Sequence, residues 1–241
     1  MLKTLLFDLD GTLLPIDTDR FVSHYLKALA AHIGHLVPPD LLAHQIMAST
    51  HAMITNTDPT LTNAQVFAAD FFPKVQRTEE EMMPLFDAFY LQRFPSLRSA
   101  CPSLPGLGRA VVAAALQRGY EIVLATNPLF PREAIEERMR WVGVFDLPWR
   151  LVTCYEEMHS CKPQPAFYSE VLERIGRRPD ECLMIGNDLE EDGAAQAVGL
   201  PVYFVTDFLI SRSGNPAPGG RSSSLEGLLV KLQAGRLDDL L

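Results

Sequence analysis

Two aspartates one residue apart, Asp8 and Asp10, close an apolar run that begins at Leu2. Gly11 and Thr12 follow, and the apolar rhythm stops there. In an extended segment, side chains at i and i+2 point the same way, so both carboxylates can face one ligand. A close carboxylate pair is costly unless a cation or a shared proton compensates it. Three further polar groups recur after apolar runs: Thr126 with Asn127, then Lys162, then Asn187, Asp188, Glu191 and Asp192. Clustered carboxylates favour a hard, oxygen-loving cation such as Mg²⁺, which keeps waters and a phosphate oxygen as ligands. A hydroxyl, backbone amides and a lysine suit a phosphoryl group. A carboxylate can also act as a nucleophile, and a neighbouring carboxylic acid can move the proton. Each segment has a bland reading as a turn, a surface dipeptide or a solvated acidic face; their recurrence at successive strand ends favours a site.

The elements that would position these groups follow from the hydrophobic pattern. Short apolar runs at Leu2–Phe7, Glu121–Thr126, Leu151–Cys154, Cys182–Ile185 and Val202–Val205 read as strands. Helical stripes separate the later ones: Leu107–Arg118 ending at Gly119, Arg132–Trp141 after Pro131, Phe167–Ile175 before Gly176, and a short helix over Gly193–Val198. Strands alternating with helices predict parallel pairing through right-handed crossovers. In such a sheet the carboxyl ends share one edge, where ligands bind. The fold class expected is therefore α/β, a three-layer parallel sheet of the doubly wound kind.

Between Pro15 and Leu104 no strand is expected. Phe21, Val22, Tyr25, Leu26, Leu29, Ala30 and Ile33 form a helical stripe that Gly34 stops, and a second helix is expected from Asp40 to about Ile54. Thr62 with Gln65, and Thr78 with Glu81, are capping-box pairs opening two more helices. The division expected is an α/β core over 1–14 and 105–241, with a helical insertion over 15–104. Ser211–Ser224 reads as a loop, and Ser223 with Glu226 as the cap of a last helix through Leu237.

With these motifs in order, the chain resembles the haloacid dehalogenase superfamily of phosphohydrolases. Asp8-Leu9-Asp10-Gly11-Thr12 resembles its first motif, Thr126 its second, Lys162 in Cys161-Lys162-Pro163 its third, and Gly186–Asp192 its fourth. The resemblance implies Asp8 as nucleophile, Asp10 as general acid/base and, through its backbone carbonyl, a Mg²⁺ ligand. It implies phosphate binding by Thr126 and Lys162, with Asn127 beside them, and metal carboxylates from the fourth motif. It also implies that 15–104 is a cap over the site. One departure stands out. The common fourth motif has Gly followed directly by Asp, with a second acid four residues on. Here Asn187 follows Gly186, so either Asp188 with Asp192 keeps the spacing, shifted by one, or Asn187 with Glu191 keeps the register. A carboxylate binds Mg²⁺ better than an amide, which favours Asp188 as the ligand, with Asn187 and Asp192 in support.

The function expected is a Mg²⁺-dependent phosphatase for a small phosphorylated metabolite, working through an aspartyl-phosphate. The alternatives are a phosphomutase with the same residues and a catalytically silent binding domain. Carbon–halogen hydrolysis is disfavoured, since the resemblance ties an Asp at position 10 to phosphoryl chemistry. A dinucleotide fold is disfavoured because no glycine fingerprint follows the first strand; Gly106 and Gly108 precede a helix that leads into a strand.

The bulk properties agree. A net charge of −9 and a pI near 5.1 argue against nucleic acid or anionic membrane as the main partner. No apolar run approaches ~18 residues, and no signal peptide is read. The four cysteines, Cys101, Cys154, Cys161 and Cys182, lack CxxC spacing and read as free thiols of a cytoplasmic protein. Five of the six histidines fall within 15–104. They, His32 and His35 included, are assigned to helix surfaces and packing rather than to a metal. Phe67, Phe71, Phe72, Phe86, Phe89 and Tyr90 are assigned to the core of the insertion rather than to a ligand wall. The pattern names neither the substrate nor the oligomeric state.

Overall fold

The structure, a computed structural model, describes residues 1–100 and 106–235. Six parallel strands form one sheet in the order β3-β2-β1-β4-β5-β6. They are β1 (Thr4–Phe7), β2 (Glu121–Leu124), β3 (Leu151–Val152), β4 (Cys182–Gly186), β5 (Val202–Val205) and β6 (Ser222–Ser223). β1 is central and fully buried, as its unbroken apolar run requires. Helices α5 (Leu107–Gln117), α6 (Arg132–Val142), α7 (Pro165–Ile175) and α8 (Leu225–Ala234) connect and flank the strands. The side chains of β1 alternate between the two faces. Leu5 and Phe7 join one buried cluster, with Val111, Ile135 and Leu228, while Leu6 joins the other, with Phe167 and Val171. The expected three-layer α/β arrangement is present.

Two details differ from the sequence expectation. Ser222–Ser223 adds a sixth strand where a loop was expected. Serines carry little strand signal, and it is the exposed edge of β5 that supplies their partner. The cap of α8 is Ser224 rather than Ser223, its side chain accepting from the Gly227 amide, because Ser223 is drawn into β6. The expected end of that helix at Leu237, the boundary at 104/105 and Cys101 lie outside the described residues.

Between β1 and α5 the chain forms α1 (Thr18–Ile33), α2 (Pro39–Thr55), α3 (Asn63–Lys74), α4 (Glu79–Gln92) and a 3₁₀ turn over Phe94–Ala100. Both capping boxes form: Thr62 with Gln65 at α3, and Thr78 with Glu81 at α4. These helices pack on one another and onto α6. Phe94 stacks on Trp141 at 5.5 Å, and Phe21 meets Trp141 edge-on at 6.1 Å. One continuous apolar cluster runs from the insertion into the sheet layer. Asn63, fully buried at the start of α3, pins the insertion to the site loops through the carbonyls of Pro128 and Ser160. His32 packs against Phe89 at 5.8 Å.

Candidate active site

Strand register decides where the motif residues meet. Phe7 pairs with both Leu124 and Ile185, so β1, β2 and β4 end level. Asp8, Thr126 and Asn187 therefore leave the sheet at one edge. Gly11 turns the chain with φ +79, a conformation costly for other residues, and a Cβ there would run into the Asn187 side chain. Gly186 has a parallel role. A Cβ on it would overlap the Asp192 carboxylate, which needs that space to reach inward.

Lys162 is the electrostatic centre. Its side chain is 1% exposed, and its Nζ donates to Asp8 Oδ1 at 2.9 Å and to Asp192 Oδ1 at 2.6 Å. Burial alone would lower the lysine pKa; the carboxylates of Asp192 and Asp8 outweigh it and hold the ammonium well above its usual range. Asp192 also accepts from the Asp188 amide at 3.0 Å, which locks the loop after β4 against the lysine. For Asp8, burial dominates and, with the charges of Asp192 and Asp10, pushes the carboxyl up to about 7 against the pull of Lys162.

Asp10 has a partner the sequence reading missed. Arg138, on the buried face of α6, pairs with Asp10 Oδ2 and donates from Nε to the Ala134 carbonyl. Its guanidinium lies over the Phe130 ring at 4.5 Å. Burial raises the Asp10 pKa, and Arg138 opposes the rise. Asp10 Oδ1 is buried with no partner. A signal existed: Arg138 falls four residues after Ala134 and three after Ile135, a charge set into the buried stripe of a helix.

The other expected residues occupy distinct roles. Thr126 is buried, and its carbonyl accepts from the Thr153 hydroxyl at 2.6 Å. Asn127 braces the loops, its Oδ1 accepting from the Lys162 amide at 3.1 Å and its Nδ2 donating to Glu191 at 3.0 Å. Burial, with Asp188 nearby, raises the Glu191 pKa. The Asn187 amide is committed on both sides: Oδ1 accepts from the Thr12 hydroxyl at 3.0 Å, and Nδ2 donates to the Phe208 carbonyl at 2.6 Å. The Asp188 carboxylate accepts from the amides of Glu190 and Glu191 and pairs with Arg212, whose Nη1 lies 2.7 Å from Oδ2. Arg212 lies in the serine- and proline-rich loop, where no pattern marked it.

The donor types of Asp8, Asp10 and Asp188 suit a hard cation, and the unpartnered Asp10 oxygen is an acceptor still to be satisfied. Three basic side chains neutralise these acids. Among the described residues, no group of three His, Cys, Asp or Glu side chains is gathered closely enough to hold a metal by itself. Cys154, Cys161 and Cys182 are free and buried, with burial pushing their thiols up to about 12.

At this edge of an α/β sheet Asp8, just past the central strand, meets the buried Lys162, with Asp10 held by Arg138 beside it. The chain belongs to the haloacid dehalogenase-like hydrolase family, whose profile matches residues 2–199, and stands among its phosphatases. It is 28% identical over 208 residues to a phosphoglycolate phosphatase of Rhodospirillum rubrum, covering 86% of this chain and 80% of that one. It is 25% identical over 220 residues to an N-acetylmuramic acid 6-phosphate phosphatase of Pseudomonas aeruginosa, covering 91% and 88%. In fold it is similar to CbbY of Rhodobacter sphaeroides, solved with phosphate, at TM-score 0.58 and 19% identity over 95% and 96% of the chains. An L-2-haloacid dehalogenase of Xanthobacter autotrophicus shares the fold at TM-score 0.59 and 14% identity, over 97% and 99%.

Proposed function

We propose that this enzyme hydrolyses a small phosphate monoester through an aspartyl-phosphate on Asp8, with Mg²⁺ as cofactor. The observation that carries the reading is the contact of Lys162 with Asp8 and Asp192 beside an ion-paired Asp10. Asp8 attacks phosphorus, and the bond from phosphorus to the ester oxygen breaks. Asp10 gives its proton to the departing alcohol. It then takes a proton from water as that water attacks the phosphorus, releasing phosphate and restoring Asp8. Lys162 fixes the orientation of the nucleophile and offsets the charge of the phosphoryl oxygens. Thr126 and the amides after β2 receive those oxygens. Mg²⁺, when bound by Asp8, the Asp10 carbonyl and Asp188, supplies positive charge to the transferring group. For that duty Asp188 would exchange its pairing with Arg212 for the cation.

Residues 15–104 act as the cap, and 1–14 with 105–241 as the catalytic core. Curated relatives named for phosphoglycolate and for N-acetylmuramic acid 6-phosphate support small metabolite esters as the substrate class. The buried free thiols support a cytoplasmic setting, and no helix among the described residues is long and apolar enough to cross a membrane. The test is phosphate release from a panel of sugar phosphates, phosphoglycolate and pyrophosphate, with and without Mg²⁺. Mg²⁺-stimulated release, abolished by Asp8→Asn, is expected. No release from any ester would overturn the reading.

A further inference from the structure

The aromatic side chains expected in the insertion's core pack there, and four of them also line a cavity. Phe67, Phe72, Phe86 and Tyr90 face a space of about 700 Å³ enclosed by α1–α4 and by the segments after β2 and β3. That volume lies within the range of small-molecule sites. Its walls are mainly apolar, with Ile46 and Met83 beside the rings. Two large apolar side chains that line it, Met47 and Leu91, are 50% and 69% exposed, which marks where it opens to solvent.

Its charge is one-sided. Glu79, Asp87, Glu133 and Glu156 all line the cavity and all are exposed, so the carboxylates form a rim over an apolar interior. Among the described residues none of the four forms an ion pair, and no Lys or Arg lines the cavity. A phosphate or carboxylate ligand would meet like charge at the entrance and no donor cation within. An ammonium group at the rim gains that field while its hydrocarbon body replaces water inside.

The cavity is also distinct from the catalytic edge. None of Asp8, Asp10, Thr126, Asn127 or Lys162 lines it. Phe130 forms part of the dividing wall: it borders the cavity and also takes the Arg138 guanidinium, the partner of Asp10, on its ring. We propose that the cavity is a binding site for an organic cation with an apolar body, an alkyl- or arylammonium, separate from the phosphoryl site. The site stands on this geometry and does not depend on the reaction assigned above.

The test is calorimetric titration of the whole protein with decyltrimethylammonium below its micelle concentration, beside decyl sulfate of equal chain length. One saturable site is expected, at least tenfold weaker for the sulfate and unchanged by saturating inorganic phosphate. Ala68→Trp fills the space between α2 and α3 and should abolish binding. Because that variant disturbs packing, the exposed pair Asp87→Asn and Glu133→Gln provides the second arm. There the ammonium should bind several-fold more weakly, with the folded signal intact. The proposal is overturned by the absence of a saturable site, by equal affinity for the sulfate, or by unchanged binding in the rim variant. Competition with phosphate would also overturn it, since the cavity would then belong to the substrate.

Discussion

Arg138 reaches Asp10 from α6, 128 positions away in the chain, and the pair is closed over by the rings of Phe130 and Phe21. The guanidinium holds Oδ2 and leaves the buried Oδ1 unpartnered. That arrangement fixes the orientation of an acid/base group while keeping one oxygen for the proton. It also restrains the rise that burial imposes on the Asp10 pKa.

Arg138→Gln should therefore act on turnover more than on binding. With the opposing charge gone, burial raises the Asp10 pKa further, and the protonated acid is a poor base for the water step. We expect kcat to fall ~10–100-fold with KM changed less than about threefold. Removing one partner of a buried pair also costs ~3–5 kcal/mol of stability, readable by denaturant titration. Unchanged kcat in the folded variant would show that Arg138 only packs.

Asp10→Asn removes the proton carrier itself. The expected loss is ~10²–10⁴-fold in kcat, with Mg²⁺ affinity nearly kept because the backbone carbonyl at position 10 is unchanged. A loss below about tenfold would remove the acid/base role.

Asp8 gives a pH prediction with a definite sign. Its carboxyl titrates near 3.8 in the unfolded chain and is pushed up to about 7 by burial when folded. Below the lower value both states are protonated, and the fold bears no penalty. As pH rises between the two, the unfolded state ionises first, so metal-free stability falls, levelling off above about 7. The ceiling on this loss is ~4 kcal/mol. Asp8→Asn should flatten the slope and raise the melting temperature at pH 8, with Lys162 still paired to Asp192. It should also abolish turnover. Chemical denaturation across pH 4–8, in chelator, measures both proteins; a stability difference between wild type and Asp8→Asn that stays constant over that range contradicts the assignment.

Much of this site was legible because the chemistry lies in short apolar runs that end in polar residues. Burial on both faces makes β1 and β4 continuous and easy to read, and parallel pairing then brings their ends together without further information. The capping boxes at Thr62 and Thr78 were equally plain, since each is a local exchange of two bonds. What escaped was non-local. Arg138 and Arg212 matter through partners far away in the chain, and only three-dimensional packing brings Arg138 to Asp10. Ser222–Ser223 becomes a strand through an edge offered by β5. The aromatic stripe of the insertion shows that its helices turn rings inward. It could not show that four of the rings also surround a space.

Asn187 and Asp188 divide the work of the acidic loop. Asn187 holds Thr12 and the Phe208 carbonyl, both sides of its amide engaged. Asn187→Ala should cost ~1–3 kcal/mol of stability, by orphaning the hydroxyl and the carbonyl, and change Mg²⁺ half-saturation by no more than the ~10–100-fold of a supporting group. A larger effect on Mg²⁺ than on stability would return the metal to position 187.

Arg212 and Mg²⁺ compete for one carboxylate. Arg212 Nη1 lies 2.9 Å from Asp188 Oδ1 and 2.7 Å from Oδ2, although its side chain is 54% exposed. With its arginine end open to solvent the pair is weak, on the order of 0–1 kcal/mol, so a divalent cation can displace it. The pair nevertheless occupies the oxygen that Mg²⁺ needs. Arg212→Ala should therefore tighten Mg²⁺ several-fold, about what the loss of a pair worth up to ~1 kcal/mol permits. Asp188→Asn should weaken Mg²⁺ well beyond ~100-fold, because it removes an anionic ligand. In the double variant the Arg212 benefit should vanish, since the carboxylate with which it makes its shortest contact is gone. Calorimetric Mg²⁺ titration of the four proteins measures the coupling without reference to turnover. An Arg212→Ala gain that persists in the Asp188→Asn background would mean that the arginine acts through the general field of the acidic loop, through Glu190 and Glu191, and not through Asp188.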